Sequence, residues 1–447
     1  MRKVNDSGGT VTVVGAGLAG CEAAVALARG GVHVRLLDMK PAKFSPAHKM
    51  EGPAELVCSN SLKSDSLDTA HGLLKDELRQ LGSILLEAAD VARVPAGSAL
   101  AVDRVLFSRA VQNILSRQKL IEYNKSTEVT IPPEGDVVLA TGPLTSPELA
   151  TWLKKRAGCA QDLYFYDALA PIVSADSLDM DKIYSGSRWG KGGDDYLNCP
   201  MDKKQYTRFV EALRKAQRTP LHDFEEPKYF ESCLPVEVLA DRGDDVLAFG
   251  PMRPVGLEHD GQKFHAVVQL RPENSERSAF NLVGFQTKLT YTAQDQVFRL
   301  VPGLENVEFL RYGAVHRNLF VNSPVVLDDE LRLKSANRVR LAGQIVGVEG
   351  YMESAAIGLL VGLMMARQAN GAHFDPPPHD TALGALWNHI RGREQKKVFE
   401  PMNIHFGLLP PVKARGKNNR RKIAVRRART SFSKWLDLAG LVAGGGS

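Results

Sequence analysis

The sequence predicts an α/β fold, and three observations predict it. A short apolar strand near the N-terminus runs straight into a glycine-spaced helix, two later apolar strands also end in glycine, and a long stretch of different texture lies between those two. The first strand is Val11-Thr-Val-Val14, and Gly15-Ala-Gly-Leu-Ala-Gly20 follows it at once. The helical pattern then continues to Arg29 and closes at Gly30-Gly31 before a second strand, Val32 to Asp38. This is a Rossmann-like βαβ unit. Gly15 allows the tight turn out of the strand, Gly17 lets a pyrophosphate approach the backbone, and Gly20 lets the helix pack on the strand. The pyrophosphate would sit on the helix N-terminus, against Ala16, Leu18 and Ala19, where free N–H groups and the helix dipole favour negative charge. Asp38, 18 residues after Gly20 at the end of the second strand, can accept the ribose hydroxyls.

The two later segments choose among dinucleotides. Val138-Leu-Ala-Thr-Gly142 is a strand ending in Thr141 and Gly142 and resembles the second motif of flavoproteins. Val339-Arg-Leu-Ala-Gly-Gln344, followed by an apolar helix from Met352 to Gln368, resembles the late segment that returns to cover the flavin. Gly343 and Gln344 therefore join the candidate cofactor residues, and the cofactor is FAD. Gln344 stands where many flavoproteins carry Asp, and its neutral amide can still hydrogen-bond ribityl hydroxyls. No second strand-linked glycine motif is present, so a nicotinamide donor, NADPH or NADH, would bind transiently. The full prediction is a Rossmann-like FAD-binding domain of the two-dinucleotide-binding flavoprotein type, discontinuous over residues 1–150 and 325–412. A smaller α+β domain is inserted at 151–324, and a basic segment follows at 413–447.

Between these landmarks, residues 53 to 90 read as a serine-rich loop followed by one helix around Leu73 to Leu86. A further helix starts at Asp103, and Lys203 to Ala216 is helical within the inserted region. Asn370-Gly371 stops the late helix, and Pro376-Pro-Pro378 separates it from the C-terminal section.

Composition excludes several classes. At 44% hydrophobic and 24% charged residues, the 447-residue chain can bury a sizeable core, which rules out disordered and collagen-like proteins. The longest apolar run outside the first helix, Ala355 to Ala366, falls short of the roughly 20 residues that span a bilayer. Glu22 and the glycine spacing argue against a signal peptide. Five scattered cysteines without a CxxC pair indicate neither a disulfide framework nor a metal site, which fits a reducing cytoplasm. Charge is uneven. Lys and Arg number 57 against 51 Asp and Glu, but ten of the bases and none of the acids fall between Lys413 and Lys434, leaving 47 bases to 51 acids elsewhere. Lys413, Arg415, Lys417, Arg420, Arg421, Lys422, Arg426, Arg427, Arg429 and Lys434 read either as a solvated helix or as a site for a polyanion.

Five blocks carry a specific resemblance: Ala54-Glu-Leu-Val-Cys-Ser-Asn-Ser-Leu-Lys63, Val94-Pro-Ala-Gly-Ser-Ala-Leu-Ala-Val-Asp-Arg104, Tyr196-Leu-Asn-Cys-Pro-Met201, Phe230-Glu-Ser-Cys-Leu-Pro-Val-Glu237 and Gly343-Gln-Ile-Val-Gly-Val-Glu-Gly-Tyr-Met-Glu-Ser-Ala-Ala-Ile-Gly-Leu-Leu360. In this order they resemble the folate- and FAD-dependent tRNA (uracil-5-)-methyltransferases, the TrmFO family, and the resemblance runs to about Pro411. It implies methylation at C5 of uridine 54 in the tRNA T-loop, with 5,10-methylenetetrahydrofolate as carbon donor and NAD(P)H as reductant. It also implies two functional cysteines, Cys58 and Cys233.

The chemistry asks for such groups. Uracil C5 is a poor nucleophile, so a thiolate adding at C6 creates the enolate that attacks a one-carbon unit, and a base must then take the C5 proton. Cys233 is assigned the addition and Cys58 the proton transfer. Cys21 reads as packing, and Cys159 and Cys199 carry no assignment. Trp189 and Tyr351 could support the target base, and Arg188 and Lys191 could contact folate glutamate or phosphate. Four alternatives remain at this stage: the same chemistry on ribosomal RNA, a related wobble-uridine modification protein of greater length, a small-molecule flavin oxidoreductase, and a non-catalytic flavin-bound RNA-binding protein. The sequence leaves the oligomeric state open.

Overall fold

The computed structural model describes residues 9–157, 164–190, 192–220, 234–393 and 399–441. Its centre is a six-stranded sheet in the order Arg332–Leu333, Ala336–Leu341, Val137–Leu139, Val11–Val14, Val34–Leu37, Ile121–Asn124. All neighbours run parallel except the edge strand Arg332–Leu333. Val11–Val14 and Val137–Leu139 are buried along their whole length, as continuous apolar runs in a parallel sheet covered on both faces should be.

Register does the positioning. Val14 pairs with Leu37 and with Leu139, and Leu139 with Leu341, so four strands end at one level. Gly15, Asp38, Ala140 and Ala342 leave the sheet side by side there, at the carboxyl edge where open α/β sheets bind ligands.

The first helix, Leu18–Arg29, is covered by Tyr351–Ala369, the late apolar helix. Their approach is set by two glycines in the late helix. A Cβ on Gly358 would lie 2.1 Å from the Ala19 carbonyl oxygen, and one on Gly362 would lie 2.6 Å from that of Ala23. The helices touch backbone to side-chain-free backbone, a contact no larger residue permits.

The single helix expected around Leu73 to Leu86 is two, Ala70–Gln80 and Ile84–Val91. Gly82 between them has φ +74, which ends the first helix, and the Ser83 hydroxyl accepts from Leu86 N–H to begin the second. Apolar periodicity ran across the break because both helices bury leucines on the same core. The serine-rich stretch before them contains a strand, Ser61–Ser64, paired antiparallel with Ala99–Val102.

A second six-stranded sheet, entirely antiparallel, has the order Tyr184–Ser185, Leu197–Met201, Ala266–Pro272, Ala279–Leu282, Ile172–Ser174, Phe309–Arg311. Helix Lys203–Lys215 lies on it through Tyr206, Phe209, Val210 and Leu213. This sheet has its own hydrophobic core, and an antiparallel ribbon of Tyr164–Ala168 with Val315–Leu319 joins it to the first. Leu149, Leu153, Leu319 and Val326, near the two crossings, pack into the first core.

The chain then folds back. The Glu77 carboxylate accepts from Ala382 and Leu383 N–H (2.8 and 2.7 Å) at the start of helix Ala382–Ile390, and burial pushes it up to about 8. The basic segment becomes helix Lys417–Ala439, which buries Ala424, Ala428, Phe432, Trp435 and Leu436. No helix among the described residues is long and apolar enough to cross a membrane.

Candidate functional site: two adjoining clefts

The first cleft opens at the carboxyl edge of the parallel sheet and encloses about 1120 Å3 including its mouth. Gly15, Ala16, Gly17, Leu18, Ala19, Asp38, Thr141, Gly142, Gly343 and Gln344 all line it. Gly20 does not. Its missing side chain makes room for the Gly15 carbonyl, which a Cβ would meet at 1.8 Å, so it serves the packing of helix on turn.

The start of the first helix shows how these residues fit a dinucleotide. The first helix starts at Leu18 without a side-chain cap, and space is open above Gly17 where a Cβ would stand. Uncapped N–H groups at a helix start are the donors a pyrophosphate uses. Asp38 is nearly buried, and its two oxygens accept from Ala16 N–H (3.2 Å) and Lys40 N–H (3.0 Å), which aims the remaining lone pairs into the cleft. Sequence reasoning missed Lys40, His48, Glu55 and Ser354 on the same wall. Lys40 Nζ is held by Gly52 O (2.6 Å) and Glu55 (3.6 Å), and burial beside Lys40 lowers His48 to about 4. None belongs to a spaced motif.

The second cleft, about 1160 Å3 with its mouth, shares Val57, Pro143, Leu144, Gln344 and Tyr351 with the first. Cys58 lines it. The loop carrying Cys58 is tied to the glycine turn by Ala54 N–H donating to Ala16 O (2.8 Å). From the far side, Tyr351 Oη accepts from Cys58 N–H (2.7 Å) and Ser59 N–H (3.0 Å). Three arginines hold the rest. Arg104 donates to Leu56 O (2.6 Å), Arg311 to Val57 O (3.1 Å), and Arg271 to Ser59 Oγ (2.7 Å) and the fully buried Asn60 (2.8 Å). Thus a strand of the second sheet fixes a loop of the first.

Cys58 is half-buried, with both acids and arginines around it. Burial, then Asp167 and Glu349, raise its thiol well above the ordinary range, so the thiol form prevails at neutral pH. Glu349 is itself pushed up by burial and Asp167, and it accepts from the Gln344 amide (2.8 Å). One N–H of the Gln344 amide is thereby spent on Glu349, which leaves its second N–H and its carbonyl oxygen for a ligand. Against burial, Lys63 and His71 hold Glu353 below its usual value, and His71 Nδ1 lies 3.3 Å from it.

The glucose inhibited division protein A family matches residues 10–373. The methylenetetrahydrofolate--tRNA-(uracil-5-)-methyltransferase TrmFO of Geobacter sulfurreducens is 52% identical over 432 residues, 96% of this chain and 99% of the relative. The protein of the same name from Myxococcus xanthus is 51% identical over 442 residues, 97% of this chain and 96% of that one. The chain belongs to the TrmFO family. Among solved structures, Aquifex aeolicus GidA is similar with TM-score 0.67 and 18% identity, covering 97% of this chain and 74% of that one. This likeness establishes the GidA-type fold for the TrmFO-family chain.

Of the two cysteines that the TrmFO resemblance singles out, Cys58 is placed at the junction of the clefts, and Cys233 lies outside the described residues, as do Cys159 and Lys191. Cys21 and Cys199 are fully buried. Tyr351 stands between the clefts. Arg188 lines neither; its guanidinium is spent on Val255 O (2.5 Å), Arg253 O (2.8 Å) and Gln269 Oε1 (3.3 Å). The ten basic residues divide. Arg429 pairs with Asp76 (3.1 Å), Arg427 with Asp380 (3.7 Å) and Pro410 O, and Arg421 lies over the Phe406 ring. Lys413, Arg415, Lys417, Arg420, Lys422, Arg426 and Lys434 are exposed.

Proposed function

We propose that this chain transfers the methylene carbon of 5,10-methylenetetrahydrofolate, with reduction, to C5 of uridine 54 in the T-loop of tRNA, giving 5-methyluridine. The observation that carries the reading is the position of Cys58 in a second cleft, beside Val57 and Tyr351 that also line the dinucleotide cleft, in a chain half identical over nearly its whole length to proteins named for this reaction. When bound, FAD supplies electrons and a carrier for the one-carbon unit, with NADPH or NADH as the ultimate reductant.

The chain's own residues bind and orient. The N-terminus of the first helix and Asp38 hold the cofactor, and Thr141, Gly142 and Gly343 flank it. Tyr351 and the three arginines fix the Cys58 peptide so that its side chain faces the second cleft, where uracil would enter. Cys233 adds to uracil C6, and Cys58, once its own thiol proton has passed to a nearby carboxylate, Asp167 or Glu349, takes the C5 proton; the raised thiol makes that first proton loss the costly part of the step. The exposed bases of the C-terminal helix neutralise RNA phosphates, and a tRNA substrate implies a cytoplasmic location.

The test is covalent trapping. A T-arm RNA carrying 5-fluorouridine should become attached to the yellow holoprotein through Cys233. Loss of the adduct in Cys233→Ala supports the assignment, and an adduct that persists in both Cys233→Ala and Cys58→Ala overturns the thiol chemistry. Methylation of tRNA against ribosomal RNA fragments decides the target.

A further inference from the structure

Away from both clefts, a cavity of about 830 Å3 including its mouth lies beside Tyr184–Ser185, the edge strand of the second sheet. Trp189 stands on its rim, 62% exposed as a residue. The backbone there has φ 61 and ψ 24, a left-handed conformation uncommon for a bulky residue. The loop is anchored on both sides of the ring. Trp189 N–H donates to Gly256 O (2.9 Å), and the indole lies so close over Gly256 that a Cβ there would come within 2.7 Å of it. The three hydrogen bonds of Arg188 brace the preceding residue. An apolar ring is thus held in water by a built support instead of being tucked under it.

Two further groups face the same cavity. Tyr184 stacks on His259 at 4.4 Å and 11°. Ser187 is 8% exposed, and its Oγ has no hydrogen-bond partner among the described residues. A buried hydroxyl without a partner beside an exposed aromatic face matches a planar ligand with hydrogen-bonding edges.

The loop is also coupled to the Cys58 site. Arg188 donates to Gln269 Oε1, Gln269 Nε2 donates to Asn198 Oδ1 (3.0 Å), and Asn198 Nδ2 donates to Gly186 O (2.8 Å). Gln269 and Arg271 are two residues apart on strand Ala266–Pro272, so they share a face about 7 Å apart. Arg271 in turn holds Ser59, next to Cys58.

We propose that the Trp189 loop is a stacking platform for an unpaired nucleobase of the RNA substrate, away from the target uridine. The indole takes the face of the base and Ser187 Oγ takes its edge. Stacking on an exposed ring tolerates any base, because every base has a π face. This platform rests on the RNA-methylating reading above.

The experiment uses the full-length holoprotein and an unmodified T-arm RNA stem-loop. Trp387 and Trp435 are buried and Trp152 is half-buried, so Trp189 dominates the fluorescence that acrylamide can quench. Saturating RNA should shield that fraction. Unchanged quenching overturns the platform, and so does shielding by methylenetetrahydrofolate alone, which would give the cavity to folate. Trp189→Ala should raise the RNA Kd on the order of tenfold, and Trp189→Phe should recover most of it; an unchanged Kd in an FAD-loaded Trp189→Ala protein overturns the proposal. If wild type methylates the RNA while Trp189 stays open to quencher, the platform alone fails. If RNA shields Trp189 but no 5-methyluridine forms, the platform stands and the methyltransferase reading falls.

Discussion

Replacing Gly358 by alanine should release the cofactor more than it unfolds the protein. A Cβ at this position would lie 2.1 Å from Ala19 O, 2.6 Å from Ala19 Cα and 2.7 Å from Ala19 C, all backbone atoms that no rotamer change can move. Ordinary contact begins near 3.4 Å, so the helices must part locally by about 1.3 Å, and overpacking of this kind costs ~1–3 kcal/mol. The displaced residue is the decisive point. Ala19 lines the first cleft and belongs to the uncapped first turn that, on the proposed reading, holds the pyrophosphate. Gly362→Ala is the control, because its Cβ would press on Ala23 and Ala26, one turn farther from the cleft, at 2.6–2.9 Å. The assay is the visible absorbance of bound FAD per mole of purified protein, read beside thermal unfolding with and without added FAD. Gly358→Ala should lose most of its FAD and be partly rescued by excess. Gly362→Ala should lose stability and keep FAD in proportion. Full FAD occupancy and an unchanged Tm in Gly358→Ala would refute the idea that this approach holds the cradle.

Asp38→Asn should weaken FAD retention on gel filtration, because a charged acceptor of two N–H groups is worth about 1.5–3 kcal/mol and the amide keeps the size but not the charge. Tyr351→Phe strands the Cys58 and Ser59 N–H groups, at about 1–3 kcal/mol for buried donors; kcat for methylation should fall while FAD content is held, and equal kcat would show that the phenol does not position Cys58. Glu77 carries a raised value of about 8 in the folded state against 4.5 ordinarily. The folded chain therefore binds a proton that the unfolded chain lacks between those limits, and stability is full below 4.5 and declines as pH rises toward 8, by up to about 1.4 kcal/mol per unit. Urea midpoints from pH 5 to 8 should fall less steeply in Glu77→Gln. On the C-terminal helix, Lys422→Ala, Arg426→Ala and Lys434→Ala should each lower the slope of log K against log salt for tRNA by up to about 0.9. Arg429→Ala, which breaks an exposed pair with Asp76, should cost at most about 1 kcal/mol of stability.

Much of the site was legible because its signals are local. Gly15, Gly17, Asp38, Thr141, Gly142 and Gly343 sit at strand ends, and a strand end followed by glycine is written in consecutive residues. Lys40, His48, Glu55 and Ser354 were not legible, because they reach the cleft from loops and from the late helix without any fixed spacing. The two helices at 70–91 read as one since leucine periodicity passes through Gly82 undisturbed, and only the turn geometry at that glycine separates them. The strand Ser61–Ser64 was hidden by its polar composition, since cross-strand partners rather than side-chain hydropathy place it.

The sequence by itself determined the parallel sheet, the dinucleotide motif and the charge asymmetry, since each depends on neighbours a few residues apart. Tertiary structure decided the rest. It brought Cys58 under Tyr351, 293 residues away, and its neighbour Ser59 under Arg271, and it joined one N–H of the Gln344 amide to Glu349. It also divided the ten bases at 413–434 into those spent on Asp76, Asp380 and Phe406 and those facing water. The physical reason is the same in each case. A hydrogen bond or an ion pair is made between groups that packing brings to within about 3 Å, and separation along the chain carries no record of that distance.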